Sequence, residues 1–139
     1  MDAEEIRRRL LSLPHVVETM QWGANLVFWV GDKRLGGKMF VLANLDGDGR
    51  AVLSYCAGRE RYPELLEREG IVPAPYLARA HWVAVERWGV FRPTEWQSEL
   101  EAAHAIVLAK LPKRVRQILA LPAREQKRLI QQSPSTTKP

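Results

Sequence analysis

Leu26-Val27-Phe28-Trp29-Val30, Met39-Phe40-Val41-Leu42-Ala43 and Ala51-Val52-Leu53-Ser54-Tyr55-Cys56 lie in one stretch between Gly23 and Cys56. Gly31-Asp32-Lys33 opens the first gap between them, and Asp46-Gly47-Asp48-Gly49 fills the second. Short apolar runs rich in β-branched and aromatic residues, bounded by Gly and Asp, read as strands of a meander. Glycine supplies the positive φ that tight hairpin turns require. The stretch predicts an antiparallel sheet, and the rest of the chain is read by what it can pack on that sheet.

On the N-terminal side, Asp2 can cap a helix with Glu5 three residues on, and Ile6, Leu10 and Leu13 share one face before Pro14 ends it. Arg7, Arg8 and Arg9 fan round the exposed side. His15 to Met20 is expected as an edge strand leading to a Trp22-Gly23 corner. On the C-terminal side a helix is expected over 59–69, a stiff loop over 71–76 and an alternating strand ending at Glu86. A long helix should follow Pro93, with Thr94 and Gln97 as its capping box and Trp96, Leu100, Ala103, Val107 and Leu111 as its apolar stripe. His104 falls at the margin of that stripe.

The chain has 139 residues, one cysteine and a net charge of +5. That length makes one domain able to bury a core without metals or disulfides. Cys56 has no partner, which suits a reducing cytosol, and reads as a small buried residue. The acidic start at Met1-Asp2-Ala3-Glu4-Glu5 does not read as a secretory signal, so none is expected, and no run approaches the length of a membrane helix. The charge is uneven. Residues 1–111 hold 14 Lys/Arg against 15 Asp/Glu, whereas residues 112–139 hold 7 against 1. The folded body is therefore near neutral and the excess sits in the tail, where Val115, Ile118, Leu119 and Leu121 can dock and Arg124, Lys127 and Arg128 face water. Ser133 to Pro139 is expected to be disordered.

Metal and cofactor chemistry find little support. Asn44-Leu45-Asp46-Gly47-Asp48-Gly49 matches the first half of a calcium loop, but Tyr55 stands where a bidentate Glu is needed and both flanks read as strand. His15 has no second ligand nearby. No phosphate loop, CxxC, HExxH or nucleophile-base spacing is present, so neither an enzyme nor a cofactor is expected.

Several pieces together resemble the MmcQ/YjbR family of small bacterial proteins. They are Leu11-Ser12-Leu13-Pro14, Trp22-Gly23, Leu26 through Gly31 running on to Gly37-Lys38-Met39-Phe40, Pro73-Ala74-Pro75-Tyr76-Leu77-Ala78-Arg79-Ala80-His81-Trp82, and Ala109-Lys110-Leu111-Pro112-Lys113-Arg114. The resemblance implies a frataxin-like (CyaY-like) α+β sandwich, one antiparallel sheet covered by helices, over residues 1–116. A basic amphipathic helical extension over 117–132 and the tail over 133–139 lie beyond it. It also implies a likeness in shape to double-wing DNA-binding proteins. The hairpin 31–38 is longer than the family's short Gly-Gly-Lys turn. The iron-binding acidic ridge of frataxins is not expected here, because Glu4 and Glu5 are followed by three arginines.

Two functions are carried forward. In the first, Lys33, Arg34 and Lys38 of the hairpin, Lys113, Arg114 and Arg116 of the C-terminal cluster, and Arg79 bind DNA or another polyanion through its phosphates, with Trp29 or Trp88 stacking on a base where exposed. The hairpin is then a protruding basic wing; equally, its charge can serve to blunt a strand edge. In the second, Tyr76, Arg79, His81 and Trp82 form a cleft for a planar or anionic small ligand or a protein. Either reading describes a cytoplasmic, non-catalytic protein, and a monomer is the simpler expectation.

Overall fold

A computed structural model of the chain describes residues 1–21, 23–45 and 51–132. Trp22, residues 46–50, where a turn and most of the calcium-like half-loop are expected, and residues 133–139 lie outside the described residues.

Six strands form one antiparallel sheet: β1 (Val16–Gln21), β2 (Asn25–Val30), β3 (Lys38–Asn44), β4 (Leu53–Cys56), β5 (Ile71–Pro73) and β6 (Trp82–Val85), in the order β1-β2-β3-β4-β6-β5. The expected meander is its centre. Strand β5 lies in what the sequence reads as a loop. It is three residues long and sits at the sheet's edge, where Pro73 costs no ladder hydrogen bond.

Register divides the side chains between two faces. Glu18, Phe28, Val41, Tyr55, Val83 and Pro73 stand opposite one another across the strands, and so do Thr19, Val27, Leu42, Ser54, Ala84 and Val72 on the other face. The first row faces the helices α1 (Ala3–Leu11) and α3 (Pro93–Lys110): Arg7 pairs with Glu18, and Tyr55 Oη donates to Glu99 Oε1 at 2.7 Å. Ile6 and Leu10 of α1, and Trp96, Leu100, Ala103 and Val107 of α3, are buried against that face. This is a two-layer α+β fold with helices on one side of an open sheet.

The capping details follow local chemistry. Asp2 Oδ1 accepts from Glu5 N at 2.8 Å, as expected. At α3 the expected Thr94–Gln97 box is displaced: Pro93 is itself the first helical residue, so Arg92 N donates instead to Glu95 Oε1 at 2.8 Å. Helix α2 (Tyr62–Leu66) covers only the middle of the expected span. His104 is buried rather than marginal. Its Nε2 donates to Pro14 O at 2.7 Å, and its ring meets Phe40 edge-on, which ties α3 to the corner before β1.

Beyond Pro112 come α4 (Lys113–Leu119) and α5 (Ala123–Gln132), broken at Leu121-Pro122. Val115 and Leu119 are buried, Ile118 is half-buried and Leu121 is exposed. No helix among the described residues is long and apolar enough to cross a membrane.

Candidate nucleic-acid interface

The β2–β3 connection does not protrude. Asp32 caps a short 3-10 turn at Lys33–Leu35 by accepting from Arg34 N at 2.8 Å, and Leu35 turns inward and is buried. The turn lies against α4: Gly36 meets Val115, and Gly31 meets Leu119. Both glycines adopt positive φ, and a side chain at either would strike the helix. The hairpin and the C-terminal cluster are thus one structural unit. Lys33, Arg34 and Arg114 line a common cleft of about 380 Å³ with Gly36, Ile118 and Leu129.

Antiparallel strand direction adds further cations to this end of the molecule. Strand β3 begins at the hairpin, β4 ends there at Cys56, and β6 begins there at Trp82 opposite Cys56. Arg59, three residues after Cys56, and Arg79, three before Trp82, therefore lie at the hairpin's end of the sheet. Strand spacing puts β6 roughly 10 Å from β3. Lys110 closes α3 at the same end, near enough for its charge to act on Cys56. Sequence reasoning missed Arg59 and Lys110; the direction of each strand is the signal that finds them.

Pairing separates the two ends of the sheet. Among the described residues, no ion pair engages Lys33, Lys38, Arg59, Arg79, Lys110, Lys113, Arg114 or Arg116, and all eight are exposed. Arg34 is the exception: it holds Asp32 at 2.9 Å, and its hydrogen bonds draw that carboxyl below its usual range. At the opposite end, Arg68 pairs with Glu95 and Arg87 with Glu69 and Glu86. There, Arg68 and Arg87 are neutralised by carboxylates, while Arg92 at the start of α3 has no ion pair among the described residues.

The aromatic residues are placed differently from expectation. Trp29 is buried on the sheet face away from α3, its Nε1 donating to Thr19 Oγ1 at 2.8 Å and its ring lying 5.7 Å below Lys33 Nζ. Trp88 is half-buried against Trp96, at the end away from the hairpin. Neither presents an open ring to a base. The residues of the second reading are also dispersed. Trp82 is buried in the core, His81 meets Tyr62 edge-on, and Arg79 is exposed at the hairpin end. Tyr76 lines clefts on the sheet face away from α3, and neither of those clefts takes in Arg79, His81 or Trp82.

Among the described residues no His, Cys, Asp and Glu side chains gather as a metal site. Burial raises the Cys56 thiol above its ordinary range, which keeps it protonated and unreactive.

A family model described as YjbR matches residues 11–106, more than half of the chain. No functionally curated protein matches. Among solved structures, the crystal structure of Deinococcus radiodurans protein DR2400, which carries a DUF419 domain, superposes with a TM-score of 0.74 at 28% identity, covering 87% of this chain and 89% of that one.

Proposed function

The chain belongs to the YjbR family, and from that premise we propose that it is a non-catalytic, cytosolic nucleic-acid-binding protein that grips phosphates with the hairpin end of its sheet. One observation carries this reading. Lys33 and Arg34, distant in sequence from Arg114, line one cleft with it, and among the described residues Lys33 and Arg114 have no carboxylate partner while Arg34 holds Asp32. Unpaired cations gathered at one end of a body that is near neutral overall are an electrostatic footprint for a polyanion. Phosphate contacts of this kind confer affinity without base-sequence readout.

The test is anisotropy of labelled duplex and single-stranded DNA at low and moderate salt. Binding at low salt that weakens steeply as salt rises supports the reading. Absence of binding to either form at low salt overturns it.

A further inference from the structure

Tyr76 is fully exposed, at 104% of its reference surface, in the loop joining β5 to β6. Its backbone is left-handed, with φ 66°. A bulky side chain rarely adopts that conformation without a compensating role. With Pro75 and Leu77 it lines, beside Asn25 and Leu42, two adjoining clefts of about 440 and 480 Å³ on the sheet face away from α3. The wall of the larger cleft is apolar except for Asn25, and the smaller cleft adds Asn44 and the Ser54 hydroxyl.

The position of this cleft relative to the cationic end is informative. Met39 lines the larger cleft and stands directly opposite Trp29, whose ring lies under Lys33 Nζ. The cleft and the first of the hairpin cations are therefore joined across one strand spacing of the same sheet face. An open aromatic ring, a largely apolar slot and Lys33 one strand spacing away match the chemistry of one nucleotide: a planar base joined to a phosphate. Bases within a duplex are stacked and cannot enter such a slot unless extruded.

We infer that the Tyr76 cleft takes an unstacked base of a single-stranded nucleic acid whose phosphates lie on the hairpin-end cations. This rests on the polyanion reading above, and an abasic strand separates the two, since it keeps the phosphates and removes the bases. Labelled oligothymidine, an abasic strand of equal length and a hairpin duplex are titrated by anisotropy at low salt against wild type, Tyr76→Ala and the double variant Lys33→Ala/Arg114→Ala. Stacking on one aromatic ring predicts that oligothymidine binds about 5- to 150-fold more tightly than the abasic strand. Tyr76→Ala should remove that difference and leave abasic binding unchanged, whereas the double variant should weaken both strands alike. Tyr76 covers no core, so the circular dichroism of its variant should match wild type. Equal wild-type affinity for the two strands, tighter binding of the duplex than of oligothymidine, or no effect of Tyr76→Ala overturns the base site while leaving the phosphate reading intact. Failure of every strand to bind at low salt overturns both.

Discussion

A Cβ on Gly36 would lie 2.7 Å from Cγ2 of Val115, so the hairpin and α4 touch with no room for a side chain between them. Gly36 also has φ 100°, which costs any other residue backbone strain. Gly36→Ala should destabilise the protein by about 1–3 kcal/mol, the strain and the overpacking acting together. Urea denaturation measures this. Because Val115 is itself buried, a double-mutant cycle is needed: Gly36→Ala should cost less in a Val115→Ala background than in wild type, leaving only the strain. An equal cost in both backgrounds would show that the contact contributes nothing.

Tyr55 and Glu99 form the polar link between the sheet and α3. The Tyr55 hydroxyl donates to Glu99 Oε1, and Arg61 donates to Oε2. Tyr55→Phe should cost about 1–2 kcal/mol, because Glu99 loses one donor but keeps Arg61. The link also sets an alkaline limit. Burial, followed by the Glu99 charge, raises the Tyr55 pKa far above its ordinary 10.0. The neutral phenol is favoured in the folded state, so its contribution is complete below pH 10 and declines above it, as the unfolded chain ionises first. Wild type should lose stability more steeply above pH 10 than Tyr55→Phe does, and parallel curves would contradict the assignment.

The centre of the sheet was legible because β2 and β3 are uninterrupted apolar runs, and α3 because Trp96, Leu100, Ala103 and Val107 repeat at helical spacing and are buried. Strand β5 was not, since three residues ending in Pro73 carry no periodicity; pairing with β6 makes them a strand. The candidate site was legible as residues but not as a place. Lys33, Arg34, Lys113, Arg114 and Arg116 are visible as charges in the chain. The meeting of Lys33 and Arg34 with Arg114 depends on Gly31 and Gly36 admitting α4, a tertiary contact with no local signature.

Glu95 is the acid-sensitive group at the start of α3. Its ion pair with Arg68 and the bond it accepts from Arg92 N hold its pKa down at about 2, from an ordinary 4.5. A depressed carboxyl stabilises the fold above pH 4.5 and loses that contribution as the pH falls toward 2. The gain is small, because the group is exposed and solvent screens it. Carboxyl NMR should place the Glu95 midpoint near 2 in wild type and nearer 4.5 in Arg68→Ala, and an unmoved midpoint would remove Arg68 as the cause.

Tyr76 should show a trade between stability and binding. At φ 66° glycine carries no Cβ strain, and Tyr76 is fully exposed, so little packing is lost on its removal. Tyr76→Gly should raise stability by up to about 1 kcal/mol, the strain relief being partly offset by the greater freedom of an unfolded glycine. Thermal melts and denaturant curves would measure the gain. A clear loss of stability would mean that the ring packs on the sheet face after all.

Charge position, more than total charge, should govern binding. Each phosphate contact releases condensed counterions, so its loss lowers the salt slope of log K by about 0.9 on duplex DNA and about 0.7 on a single strand. Arg114→Ala and Lys113→Ala, at the hairpin end, should each flatten the slope by about that amount. Arg87→Ala removes the same formal charge from the opposite end, where Glu69 and Glu86 already neutralise it. Its salt slope should match wild type within error. If all three variants weaken binding equally, affinity follows net charge alone, and the hairpin end has no special claim to the phosphates.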